Sequence, residues 1–212
     1  MAGMNERLTR LEVVRAARAL LDAGGLPALG MRRIAGELGV QQSALYWHFE
    51  NKQALLAALA DDIVSAVEPV VGGDWPTAVV EVCLRLRAAL LDHQDGAELV
   101  STAIAFRLGA ASVTALLEAE LAGAGAGPQP TSTAAAVLLH YLLGFTNDEQ
   151  QHRQAAALGA IQPSDVDETA STERFVRGVN LIIDGLRVAT PDRAPGRRTA
   201  APRGSAARRA TR

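Results

Sequence analysis

The stretch GVQQSALYWHFENKQALLAALA, residues 39–60, decides how the chain folds. Its YWHF motif holds three of the eight aromatic residues within four positions, although aromatic residues make up only 4% of the sequence. Helical patterns lie on both sides of the turn GVQ, at 31–38 and 42–49, and Gly39 ends the first of them. Two short helices joined by such a glycine-containing turn predict a helix-turn-helix.

The rest of the chain shows helical periodicity and no convincing alternation of β-branched residues, which predicts an all-α fold. Thr9 and Glu12 have the spacing of a capping box, and Gly24 and Gly25 are expected to end the helix that begins there. We expect Asn51, Asp74 and Thr131 to cap later helices and Ser171 to begin the last one. The helices predicted after the helix-turn-helix are 52–68, 75–91, 97–108, 112–121, 132–157 and 172–189.

Charge divides the chain into three parts. Residues 1–52 carry seven basic and five acidic side chains, residues 53–190 carry seven and seventeen, and residues 191–212 carry seven and one. An acidic middle part does not suit a polyanionic partner, whereas the two other parts do. We predict a three-helix helix-turn-helix DNA-binding domain at 1–52, a connecting helix at 52–68, a second helical domain at 69–190 and a disordered arginine-rich tail at 191–212.

The composition is that of an intracellular globular protein. The 212 residues are 49% hydrophobic, and the single cysteine, Cys83, excludes an internal disulfide and is expected to be buried. The longest apolar run, 134–145, has only 12 residues and contains His140, so it is too short to span a bilayer. The polar N-terminus does not have the pattern of a signal peptide. These features predict a cytoplasmic protein.

The second helix of the helix-turn-helix carries side chains that suit base edges in the major groove. Gln42 can donate to and accept from an adenine edge, Ser43 can bond a base or a phosphate, and Ala44 offers a methyl group to thymine. These three residues begin the helix, which is the part that enters the groove.

Other polar residues around this helix suit the phosphate backbone. Tyr46 and His48 carry a hydroxyl and a ring N–H that can reach phosphates. Lys52, the only lysine, lies at the start of the next helix, where its charge adds to the positive end of the helix dipole. Arg32, with Arg33 beside it, can reach the DNA backbone or a guanine.

The aromatic residues of this stretch have an alternative role as core residues. Phe49 and part of Trp47 fit that interpretation, and Leu45 lies four positions before Phe49 on the same helix face. Tyr46 and His48 fit it poorly, because their polar tips need water or a partner.

The segment MRRIAGELGVQQSALYWHFENKQALLAALA, residues 31–60, resembles the DNA-binding domain of the tetracycline-repressor (TetR) family, and the match covers residues 9–68. The segments ALLDHQDGAELV and LLHYLLGFTNDEQQHRQ resemble the C-terminal domain of its tetracycline-binding branch. The resemblance implies a homodimer with a four-helix interface made by the last two long helices, and a small ligand in the C-terminal bundle that changes the spacing of the DNA heads and releases the operator. The family positions that contact DNA correspond to Arg32, Gln42, Ser43, Ala44, Tyr46, His48 and Lys52.

The same resemblance implies a ligand site in the C-terminal domain, but several of its polar positions differ. Val100 replaces the histidine that binds the magnesium of the drug, Val82 replaces an asparagine, and Leu86 replaces an aromatic residue. Glu68 replaces a further histidine. We therefore expect a largely hydrophobic ligand, such as a polycyclic metabolite or antibiotic, in place of magnesium–tetracycline. The predicted ligand-binding residues are Val82, Leu86, Val100, Ala103, His140 and Asp148.

No motif of an enzyme, cofactor site or metal site is present. The chain has no Walker motif, nucleophile elbow or dinucleotide fingerprint. His140 lies in an apolar helix and is expected to be a core histidine, with a hydrogen bond to a ligand as the alternative. His140 and His152 are not spaced to share one helix face, and Asp148 and Glu149 point to different faces, as solvated or supporting groups.

The sequence favours a ligand-responsive repressor on a palindromic operator and leaves three questions open. One alternative is a helical protein that sequesters a small molecule and has a vestigial DNA head. Another is an activator, which the sequence does not distinguish from a repressor. The arginine-rich tail is either a solvated end or a source of non-specific phosphate contacts.

Overall fold

The computed structural model describes residues 8–109, 111–162 and 167–189, and these residues form helices and connecting turns without a β-strand. This agrees with the predicted all-α fold. The helices are α1 (Arg10–Ala28), α2 (Met31–Glu37), α3 (Gln42–Leu45), α4 (Lys52–Val64), α5 (Trp75–Leu91), α6 (Gly96–Ala105), α7 (Ala111–Leu121), α8 (Pro128–Ala157) and α9 (Glu168–Ala189).

Local capping rules set the start of α1. The Thr9 hydroxyl accepts from the Glu12 N–H, and the Glu12 carboxylate accepts from the Thr9 N–H, which confirms the predicted capping box. Gly24 and Gly25 depart from helical geometry as expected, and Gly25 has a left-handed φ of 64°. The chain then continues through one more helical turn to Ala28, so these glycines bend the helix rather than end it.

The predicted helix-turn-helix is formed by α2 and α3. Val40 supports the angle between them, since its N–H donates to Ala35 O at 3.0 Å. α3 is shorter than the predicted helix 42–49, because after Leu45 the chain tightens into a turn in which the His48 and Phe49 N–H groups both donate to Leu45 O. Leu45 and Phe49 are both fully buried and form the core of the predicted DNA-binding domain, the head of the molecule, as predicted.

Asn51 and Asp74 cap α4 and α5 as predicted, by accepting from the N–H groups of Ala54 and Thr77. α4 ends at Val64, four residues earlier than the predicted connecting helix 52–68. The chain beyond that end leads to Pro69, which restricts the residue before it to non-helical conformations.

Two predicted helix starts are wrong. α8 begins at Pro128, because proline suits the first turn of a helix, and Thr131 lies inside that turn with its hydroxyl donating to Gly127 O. α9 begins at Glu168, and the Asp167 carboxylate accepts from the Ala170 N–H at its start. Ser171 is therefore buried inside the helix and does not begin it.

One continuous core of buried side chains joins the helix-turn-helix head, α4 and the bundle of α5 to α9. Cys83 lies in it as expected, and burial raises the pKa of its thiol to about 12, so the reactive thiolate is suppressed. Within the residues that the structure describes, no helix is long and apolar enough to cross a membrane. The tail predicted at 191–212 lies outside the described residues.

Candidate DNA interface and ligand-binding core

The first residues of α3 present polar groups on the surface of the head. Gln42 and Ser43 are exposed, and Ala44 is half-buried. The Gln42 side-chain amide donates to the Tyr46 hydroxyl at 3.2 Å, four positions further along, which places both polar ends on one face. The structure therefore brings the predicted base-contacting residues together with one predicted phosphate-contacting residue.

The other predicted DNA-contacting residues surround this face. Lys52 is exposed at the first position of α4, next to the capping Asn51, and Arg32 is exposed on α2. His48 is half-buried at the end of the turn that follows α3. Helix starts and exposed guanidinium groups are suitable places for phosphate contacts.

The expectation that Trp47 is partly a core residue is wrong, since 89% of its surface is exposed. Leu45 and Phe49 occupy the inward positions, and Trp47 lies between them in sequence, so it points outward. Tyr46 beside it is 48% exposed. The exposed indole thus joins the surface that carries the predicted DNA contacts, a role that the aromatic motif itself could have indicated.

Arg10 holds this surface in place and was not identified from the sequence. Its guanidinium donates to the His48 backbone carbonyl at 3.0 Å and lies 4.2 Å from the centre of the Phe49 ring. The residues are 38 positions apart, so no local pattern reveals the contact. Arg10 ties the end of the recognition segment to α1.

Four of the six predicted ligand-binding residues lie together in the core. Val82 and Leu86 on α5, and Val100 and Ala103 on α6, are at most 3% exposed. They offer no polar side-chain atom to a ligand. A molecule that binds here must separate packed apolar side chains, and it must be largely apolar to replace their contacts.

The two other predicted ligand-binding residues lie on the surface of α8. His140 is exposed, so the expectation of a buried core histidine is wrong; its Nδ1 lies 2.7 Å from the Ala136 carbonyl of the same helix. Asp148 is exposed beside a groove of about 410 Å³ between α8 and α9. The structure does not bring these two residues to the four apolar ones.

A buried ion pair lies between α5 and α8. The Arg87 guanidinium donates twice to the Glu149 carboxylate, from Nε at 3.0 Å and from Nη2 at 2.7 Å. Only 9% and 8% of the two side chains are exposed, so of the two roles predicted for Glu149, solvated or supporting, the solvated one is wrong. Arg153 adds a second donor at 3.1 Å, and its other contact is with Glu168 at the start of α9. This cluster fixes the long helix against its neighbours.

Among the described residues, no three histidine, cysteine, aspartate or glutamate side chains are grouped so that they could hold a metal ion. His93 is paired with Asp22, at 2.8 Å between Nδ1 and Oδ1.

Comparisons with known proteins agree with this arrangement. Residues 13–59 match the family model of the bacterial regulatory proteins of the tetR family, and residues 68–190 match that of the tetracyclin repressor-like C-terminal domain. The tetracycline repressor protein class A from transposon 1721 of Escherichia coli is 31% identical over 201 residues, which cover 84% of this chain and 92% of that protein.

Solved structures extend the similarity to the fold. The crystal structure of Mycobacterium smegmatis BioQ is 39% identical with a TM-score of 0.79, over 86% of this chain and 99% of that one. A structure of BioQ with its double-stranded DNA operator is 38% identical with a TM-score of 0.71, over 85% and 99%. The chain belongs to the TetR family of bacterial regulatory proteins, with a helix-turn-helix head and a tetracycline repressor-like C-terminal domain.

Proposed function

We propose that this chain represses transcription by binding a palindromic operator as a homodimer through the exposed face of α3, and that a small, largely hydrophobic ligand releases it. The observation that carries the proposal is the division of the segment LYWHF, residues 45–49, between the core and the surface. Leu45 and Phe49 are fully buried, whereas Tyr46 and Trp47 between them face the solvent. The match to regulatory proteins and the operator complex of BioQ support the same function.

The proposal assigns a role to each part of the chain. Residues 1–52 bind DNA, the connecting helix transmits the state of the core, and residues 69–190 bind the ligand and form the dimer. Repression takes place in the cytoplasm and involves no catalysed reaction. The proposed DNA-contacting residues are Arg32, Gln42, Ser43, Ala44, Tyr46, His48 and Lys52, and we add Trp47, whose indole N–H can donate to a phosphate.

The alternative, a sequestering protein with a vestigial DNA head, is not favoured. The head exposes Trp47 beside the polar face of α3, and the Arg10 contact fixes the turn that follows α3, which is the arrangement that a DNA-binding head needs.

Selection of bound duplexes from a random DNA pool tests the proposed function. The full chain should enrich a palindrome with two half-sites about one helical turn apart. In gel-shift titrations it should bind the enriched duplex at least about a thousandfold more tightly than random duplex. Equal affinity for both duplexes would show that the repressor proposal is wrong.

Lys52 provides a quantitative test of the phosphate contacts. Lys52→Ala should reduce the slope of log affinity against log salt concentration by about one for each protomer. Each phosphate contact releases about one counterion from the DNA on binding, so a protein that lacks the contact releases fewer. The slope is measured by fluorescence anisotropy with the selected operator. Gln53 is the control, because it follows Lys52, is also exposed and carries no charge; Gln53→Ala should leave the slope unchanged. An unchanged slope for Lys52→Ala would exclude it from the interface.

The apolar core site should not bind tetracycline as a magnesium complex. Magnesium prefers oxygen ligands in an octahedral arrangement, and Val82, Leu86 and Val100 offer none. Calorimetric titration with tetracycline should therefore show no binding that depends on magnesium, when magnesium chloride is compared with a chelator. Heat that appears only with magnesium would contradict the predicted apolar site.

A further inference from the structure

The DNA head meets the C-terminal domain at a second place besides α4, the turn between α5 and α6. The Asp95 carboxylate in this turn has two partners on opposite sides. Its Oδ2 accepts from the Leu26 N–H of α1 at 2.9 Å, and its Oδ1 accepts from the Gln154 amide of α8 at 2.6 Å. One buried carboxylate therefore connects the head with the long helix.

The backbone on both sides is shaped around this carboxylate. Asp95 has a left-handed φ of 55°, a conformation that aspartate adopts more readily than most residues with a side chain. Gly25 of α1 has a φ of 64°, and a Cβ atom there would overlap the Asp95 carboxylate. The bend in α1 therefore allows the head to approach the turn closely.

α8 holds the turn through a second glutamine. The Gln150 amide donates to Leu90 O at 2.9 Å and to His93 O at 2.7 Å, and its carbonyl accepts from the Ala97 N–H at 3.1 Å. Gln150 is only 6% exposed. Since Gln154 lies one helical turn further, α8 fixes the turn at two successive positions.

α1 has attachments of two kinds with different consequences, one to the connecting helix and one to the turn between α5 and α6, where Asp22 also pairs with His93 at 2.8 Å. Arg18 of α1 pairs with Asp62 at 2.9 Å, which ties α1 to the connecting helix α4. The Asp95 contacts tie α1 instead to α8, one of the helices that form the proposed dimer interface. A second attachment, distant from the first in sequence, restricts rotation of the head relative to that interface.

We propose that Gln154 and Asp95 are positioning residues, which fix the distance and angle between the two DNA heads of the dimer by coupling each α1 to its α8. The inference rests on the proposed function, because it requires a homodimer on a two-half-site operator. Loss of the Gln154–Asp95 contact leaves the base-contacting face of each head intact but loosens the position of the head relative to α8. The protein then loses its preference for one half-site spacing and keeps its affinity for a half-site.

Two variants of Gln154 remove the contact in different ways. Gln154→Leu removes the donor, and Gln154→Glu keeps the shape of the side chain but places a second carboxylate against Asp95. Gln151→Leu and Gln151→Glu are the matched controls, since Gln151 is exposed on the same helix. Thermal unfolding and sedimentation of each full-length variant establish that it is folded and dimeric, and either Gln154 variant alone is sufficient for the test.

The measurement is affinity for the selected operator, for the same operator with one base pair inserted or removed between its half-sites, and for a single half-site. The wild type and both Gln151 variants should prefer the selected spacing by about tenfold or more, the factor expected for a hydrogen bond to a charged group. In the Gln154 variants that preference should fall to about threefold or less, with half-site affinity unchanged.

Two results would overturn the inference: a spacing preference that the Gln154 variants retain, or an affinity that falls by the same factor on every duplex, half-site included. The second result would indicate a structural role only. If the wild type itself selects no operator, the proposed function fails, and this outcome is distinct from both.

Discussion

Replacing Glu149 by leucine is expected to lower the free energy of unfolding by about 3–5 kcal/mol, the cost of removing one partner from a buried ion pair. Arg87 donates twice to the Glu149 carboxylate, and only 9% of its side chain is exposed. Without Glu149, its nearest described favourable contact is the Phe175 ring, whose centre is 5.5 Å from the guanidinium carbon. That contact is too weak to compensate for a desolvated charge.

Urea unfolding at one fixed protein concentration measures this effect, because the stability of a dimer depends on concentration. The control is Glu81→Leu on α5, which breaks an Arg85–Glu81 pair of similar length, 2.8 Å, with about half of each side chain exposed. Its loss should be at most about 0.5 kcal/mol, as for other exposed pairs. The double variant Arg87→Met/Glu149→Leu should recover most of the stability. Equal losses for Glu149→Leu and Glu81→Leu would show that the buried pair has no special role.

Features that depend on neighbouring residues could be predicted from the sequence. The capping box of Thr9 and Glu12 and the cap at Asn51 are confirmed, because each needs only residues three positions apart. Thr131 and Ser171 have equally suitable side chains, but they do not start their helices. The helices start earlier, at Pro128, which has no N–H that needs an acceptor, and after Asp167, whose carboxylate accepts from the Ala170 N–H.

Features that depend on distant residues could not be predicted in the same way. Arg87 and Glu149 are 62 positions apart, and Gln154 and Asp95 are 59 apart, so no local spacing reveals either pair.

The exposure of His140 could not be predicted from hydrophobicity either. This histidine lies in an apolar segment, but that segment has a second apolar face directed outward, which a count of hydrophobic residues does not distinguish from the core-facing one.

Replacing Leu181 by aspartate is expected to dissociate the homodimer. Leu181 and Val188 on α9 are 74% and 87% exposed, and they share one helix face with Gly185. Gly185 and Val137 of α8, which is 48% exposed, line an apolar groove of about 470 Å³ between the two helices. We infer that the partner's helices cover this face in the four-helix interface, since an exposed apolar surface of this kind marks an association site.

The substitution should place two aspartates in the interface, one from each protomer, because a two-fold interface uses the same patch of both protomers. Each uncompensated charge costs about 2 kcal/mol, so the dimer dissociation constant should rise by about a thousandfold. Sedimentation velocity measures the assembly state, and titration with the selected operator should show half-site affinity only. Val71→Asp, at a 99% exposed position before α5, is the control and should leave the dimer intact. A Leu181→Asp protein that stays dimeric at the concentrations where the wild type does would place the interface elsewhere, since an unpaired aspartate cannot be accommodated at the centre of an apolar contact without this cost.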